Sequence, residues 1–173
     1  MPDIYTSEWY ESVKSAINAQ VTTMRNVPEG AWTVAVEIVG DGVSPYVDAG
    51  AQRRFLVRIE QGQCAWYREV DGEDPEERLD YRFTGPAAVF DDIAAGRMDP
   101  IDAALQGTVK ARGDMRFLLR QAELVKVLLE SYASGVETTW PLGCPPYVGA
   151  GSAVRSGEAP ARAAVRSGEA ANA

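Results

Sequence analysis

In four runs between Trp32 and Thr84 apolar residues recur at every second position, and beyond Gly85 they recur mainly at helical spacing instead. A chain whose strand runs are grouped in this way and followed by helical segments folds as an α+β arrangement, not a bundle or a repeated strand–helix unit. The first alternating run sets Trp32, Val34, Val36 and Ile38 on one face; the second, Arg54 to Glu60, sets Phe55, Val57 and Ile59 inward. Gln61-Gly62 is a tight turn into a returning run, Gln63 to Val70, that carries Trp66. The acidic stretch Asp71 to Glu77 reads as a solvated hairpin loop leading to Arg78–Thr84, with Leu79, Tyr81 and Phe83 on one face. Successive alternating runs joined by short loops predict an antiparallel meander.

Helical segments flank these runs. Ser7 to Met24 is predicted helical, with Ser7 as the N-cap and Trp9, Val13, Ala16, Ile17 and Val21 at helical spacing. After the strands, Gly85-Pro86 opens a helix through Val89, Phe90 and Ile93, closed by Gly96 in the left-handed conformation. Asp99-Pro100 opens another, aspartate as cap and proline at the first helical position, ended by Gly107. Thr108 to Arg112 is a short strand with Val109 and Ala111 inward, and Gly113-Asp114 launches one long helix from Met115 to about Ser131. That helix carries a stripe of Leu118, Ala122, Val125 and Leu129, widened by Phe117, Leu124, Val127 and Leu128. So wide an apolar face needs covering by the sheet and by something more: a ligand, a partner or the segment that follows.

The chain contains no histidine, which removes Ser-His and Cys-His nucleophile pairs and most zinc or iron sites. Asp91-Asp92, Asp99 and Asp102 are the carboxylates that acid–base or metal chemistry would use. Asp99 and Asp102 are explained by capping, and Asp91-Asp92 is expected on the outer side of its helix, its side chains about 100° apart. No catalytic residue, metal or cofactor is implied. Cys64 and Cys144 lie far apart and read as free thiols, Cys64 buried in a strand. A net charge of −8 repels nucleic acids and anionic surfaces at long range, leaving a neutral or hydrophobic small molecule as the natural partner. The chain has no apolar run of membrane-spanning length, so no stable membrane insertion is expected. Met1 to Tyr10 lacks an apolar leader, and Ala171-Asn172-Ala173 is not a peroxisomal address; a cytoplasmic protein is expected.

The stretch Leu79 to Arg120 resembles the sterol carrier protein type 2 family. The likeness rests on three features in order: Gly96-Arg97-Met98-Asp99-Pro100, then Gly107 opening a short strand, then Gly113-Asp114-Met115 opening the final helix. It extends less distinctively over Trp9 to Leu129. The resemblance implies a five-stranded, mostly antiparallel sheet covered on one face by helices, with an apolar tunnel between them. It further implies non-catalytic binding of sterols, fatty acids, fatty acyl-CoAs or phospholipids, with Phe90, Ile93, Met98, Leu105, Met115, Leu118, Leu119, Ala122 and Leu128 as candidate tunnel-lining residues.

Composition divides the chain into a carrier-like domain over residues 1–137, a Pro-rich ordered extension or lid over 138–151, and a flexible tail over 152–173. The extension holds Trp140 and Tyr147, expensive to expose, among prolines that forbid regular structure. The tail repeats Ala-Val-Arg-Ser-Gly-Glu-Ala at Ala153 and Ala164. It is either an inert tail or a tag by which an accessory protein docks to a larger enzyme or shell.

Overall fold

Thr6, not Ser7, caps the first helix. In a computed structural model, which describes residues 1–74, 77–134 and 136–147, the Thr6 hydroxyl accepts from the Trp9 amide and Ser7 is the first residue inside α1 (Ser7–Val21). The reach of a capping side chain to the third helical residue sets this offset. Trp9, Val13, Ile17 and Val21, one turn apart, are all buried along α1.

The alternating runs become β1 (Ala31–Val39), β2 (Gln52–Glu60), β3 (Gln63–Val70) and β4 (Tyr81–Pro86), with β5 (Lys110–Gly113) after two helices, α2 (Ala87–Ala94) and α3 (Pro100–Leu105). The sheet order is β3-β2-β1-β4-β5. β1 pairs antiparallel with β2 (Val34 opposite Val57), β2 with β3 and β4 with β5 (Phe83 opposite Ala111), all antiparallel. The fold is thus the α+β, mostly antiparallel five-stranded sheet that was expected, with one departure. The meander stops at β3, because β4 seats itself parallel to β1, with Val36 beside Phe83.

The link from β3 to β4 is therefore a crossover and not a hairpin tip. β3 and β4 run parallel with β2 and β1 between them, so no tight turn can join them, and described residues of the link meet arginines of the outer sheet face. Arg54, 4% exposed, bonds the Gly72 carbonyl at 3.0 Å and pairs with Glu77 at 3.5 Å. Arg82 pairs with Glu73 at 3.2 Å and with buried Glu37 at 2.8 Å. Asp80 closes the link, its carboxylate accepting from the Thr33 amide at 2.8 Å. Two acids of this stretch, Glu73 and Glu77, thus find arginine partners on that face.

The long final helix is two helices, α4 (Met115–Arg120) and α5 (Ala122–Ser134), broken at Gln121. The break resolves the over-wide apolar face: α4 turns Phe117 against Trp32, ring centroids 5.0 Å apart, while α5 brings Tyr132 edge-on to Trp9 at 5.4 Å. Gly113 makes the turn into α4 with φ +136, where any Cβ would collide with the Tyr81 ring.

Residues 138–147 lie alongside the N-terminus. The Ile4 amide donates to the Thr139 carbonyl at 3.0 Å and the Thr139 amide to Pro2 at 2.9 Å; Trp9 Nε1 reaches the Thr138 hydroxyl at 2.9 Å. Trp140 packs edge-on against Tyr46, whose hydroxyl donates to the Gly143 carbonyl at 2.8 Å. The repeated segments at Ala153 and Ala164 lie outside the described residues. Among the described residues no helix is long and apolar enough to cross a membrane.

Candidate functional site

The inner sheet face and the helices enclose a cavity of about 650 Å³, within the range of roughly 300–1,000 Å³ that holds a small organic molecule. Its floor is the inward set of the strands: Val34 and Val36 of β1, Val57 and Ile59 of β2, Tyr67 of β3 and Phe83 of β4. Val13 and Ile17 of α1 close one side, and Val125, Leu128, Leu129 and Tyr132 of α5 form the roof. Alternation delivers the floor, since every second residue of a strand points to the same side. The space exists because most floor residues are short β-branched side chains and because α3 and α4, six residues each, are too short to lie across the sheet.

Seven of the nine candidate lining residues border this cavity: Phe90 and Ile93 from α2, Leu105 from α3, Met115, Leu118 and Leu119 from α4, and Leu128 from α5. Met98 and Ala122 do not. Met98 is packed against the core beyond the Gly96 turn, and Ala122 is exposed as the first residue of α5, turned outward by the break at Gln121. The sheet floor and the α1 side chains were absent from that set. Strand alternation already marks Val34, Val36, Val57 and Ile59 as inward, and only the further step that they face space was needed to find them.

The cavity is lined almost wholly by aliphatic and aromatic side chains. Among its described lining residues only Lys110 and Arg112 are charged. Towards α3 and α4 the lining runs out to the surface: Leu105 is 81% exposed, Leu119 79% and Ile101 44%.

Asp91 is not on the outer side of its helix. It is fully buried, and both oxygens accept phenol protons, Oδ1 from Tyr5 and Oδ2 from Tyr147, each at 2.6 Å. Burial raises its carboxyl above the ordinary carboxylate range, against the lowering effect of the Ser44, Tyr147 and Tyr5 hydroxyls. The same burial pushes the Tyr5 phenol well above its usual value. The carboxylate thus pins the N-terminus and the 138–147 segment to α2. Its neighbour Asp92 points to Arg97, 3.1 Å away, and Asp99 caps α3 by accepting from the Ile101 and Asp102 amides. Among the described residues no group of three His, Cys, Asp or Glu side chains is placed to hold a metal ion. Cys64 is a buried thiol pushed up to about 11 by desolvation, and Cys144 is exposed; neither is in a disulfide.

Against known proteins, the sequence pattern of the SCP-2 sterol transfer family matches residues 41–126. Among solved structures, a conserved hypothetical protein from Thermus thermophilus, suggested to be a sterol carrier protein, superposes with a TM-score of 0.60 at 18% identity. That match covers 79% of this chain and 92% of the other. A crystal structure of sterol carrier protein 2 gives a TM-score of 0.60 at 16% identity, covering 76% of this chain and 98% of that one. At these identities the superpositions speak for the fold. No curated protein matches the sequence.

Proposed function

Because the chain belongs to the SCP-2 sterol transfer family through residues 41–126, we propose that it binds one hydrophobic small molecule in the cavity and transfers it without chemical change. The observation that carries this reading is the 650 Å³ space walled by apolar side chains of every layer of the fold. Burying an apolar molecule there gains about 25 cal/mol per Å² removed from water and imposes little directional demand. A fatty acid, a fatty acyl-CoA or a sterol-like lipid therefore fits the chemistry, with Phe90, Ile93, Leu105, Met115, Leu118, Leu119 and Leu128 among its contacts. The non-catalytic role is in keeping with the carboxylates: Asp91 is sealed under two phenols, Asp92 is paired, and Asp99 is a cap. The two unpaired cysteines favour a reducing cytoplasm as its place of work.

Under this proposal residues 1–137 are the carrier unit and 138–147 are a strap on it. No described residue of the strap borders the cavity, which leaves the space available to a ligand. The test is to strip the purified full-length protein of lipid and add palmitate, palmitoyl-CoA or cholesterol. A complex seen by native mass spectrometry with a raised Tm is expected; no complex and no shift with any of the three would overturn the proposal.

The repeat at Ala153 and Ala164 favours a second role, docking to a larger enzyme or shell. Truncation after Gly151 that abolishes partner capture and leaves lipid uptake intact is the expected result; unchanged capture rejects it.

A further inference from the structure

The rim of the cavity differs in charge from the rest of the chain. Residues 110–120 carry four basic side chains, Lys110, Arg112, Arg116 and Arg120, against one acid, Asp114, in a chain with 17 basic and 25 acidic residues. All four are exposed, and none is ion-paired among the described residues, whereas Arg53, Arg54, Arg58 and Arg82 of the sheet all are. Asp114 is committed to its own helix, accepting from the Phe117 amide at 3.0 Å. Asp99 on neighbouring α3 is likewise a cap, and Asp102 is the other acid of that helix. Lys110 and Arg112, opposite Thr84 and Arg82, lie on the edge strand's outer side, where Glu77 and Asp80 border Arg112. Arg116 and Arg120 share α4 with Met115 and Leu119, and Ile101 and Leu105 stand on α3. These four apolar residues are between 38% and 81% exposed and all border the same cavity.

The geometry points to this rim, formed by α3, β5 and α4, as a docking surface for an anionic phospholipid bilayer. Leucines beside the mouth of an apolar cavity enter the acyl layer, and guanidinium groups around them meet phosphate oxygens in paired hydrogen bonds. Peripheral binding needs both signals, apolar contact and positive charge, and the rim supplies both. Charge complementarity selects the bilayer's sign; apolar side chains at the opening a lipid must cross select a bilayer over an acidic soluble protein. The chain's net charge of −8 opposes approach from a distance, but at physiological salt charges more than about 8 Å away are largely screened, so the rim dominates at contact. The inference rests on the carrier reading and says where the carried molecule enters and leaves.

Arg116 and Arg120 suit a test because they are exposed, unpaired among the described residues and outside the cavity lining. Co-sedimentation of the full chain is measured with vesicles of phosphatidylcholine alone and of phosphatidylcholine mixed with phosphatidylglycerol. Binding to the mixed vesicles only, weakened by salt, is expected. R116Q/R120Q should lower partitioning about fivefold for each charge removed, with Tm and uptake of a fluorescent fatty acid from vesicle-free buffer unchanged. No binding by the wild type, equal binding to both vesicles, or equal partitioning of variant and wild type overturns the docking surface. Fatty-acid uptake without vesicles reads the carrier separately: its failure with vesicle binding intact removes the carrier reading and keeps the surface.

Discussion

Two clusters share the inner face of one sheet and are built differently. Around Trp9, rings meet rings: Tyr10 stacks on Tyr67 at 4.9 Å and packs against Phe55 at 4.9 Å, and Trp9 and Phe55 have no exposed surface at all. Around Leu118, side chains stop short of one another and leave the cavity. The covering elements explain the contrast. α1 has 15 residues, about 22 Å of helix at 1.5 Å per residue, and crosses the strands with aromatic side chains. α3 and α4 have six residues each, about 9 Å, and present slender aliphatic ones. One sheet thus offers a filled end that holds the protein together and a hollow end freed from that duty.

Trp9→Ala strikes the filled end hardest: a loss of about 3–5 kcal/mol is expected in urea unfolding, the usual cost of emptying a buried tryptophan site. Leu119→Ala at the hollow end should change stability by no more than ~0.5 kcal/mol, and equal losses would dissolve the distinction. Asp91→Ala strands the Tyr5 and Tyr147 hydroxyls, and a loss of about 2–3 kcal/mol follows. Asp91→Asn isolates the charge. A carboxyl raised by burial adds stability that is complete below the ordinary carboxylate range and is lost as pH rises through the raised value. The wild type should therefore lose urea midpoint relative to Asp91→Asn as pH rises; a difference that stays flat or grows would show the carboxylate to be unperturbed.

Val36→Phe sharpens the comparison from the other side. A ring added where there is space should leave stability within about 1 kcal/mol and cut fatty-acid uptake roughly tenfold, whereas a ring forced into solid core costs about 1–3 kcal/mol. A small effect also belongs to the surface: Glu69→Gln breaks the bidentate pair with Arg53, held at 2.7 and 2.8 Å, and should cost about 0.2–1 kcal/mol in the same assay.

The features legible in the sequence depend on neighbours a few positions away. The Asp99-Pro100 start, the left-handed Gly96 and Gly113, and the inward sets of the strands each follow from local geometry. What escaped is non-local. Nothing near β4 says that it will run parallel to β1, because partner choice is made across the sheet. Asp91 looks like a surface acid because the groups that bury it, Tyr5 and Tyr147, stand 86 and 56 residues away in sequence. The break at Gln121 has no Gly or Pro to announce it. Of the cavity, direction was readable and emptiness was not, since a void is a sum of volumes from every strand and every helix that borders it.

The pairing of Pro2 and Ile4 with Thr139 has a mechanical consequence. Tension applied between the first residue and Tyr147 falls on that short bridge and on the Tyr147–Asp91 contact before any ladder of the sheet is loaded. The ends should peel away together as one early, small extension in a force trace, ahead of the main rupture, while the hollow end keeps its shape.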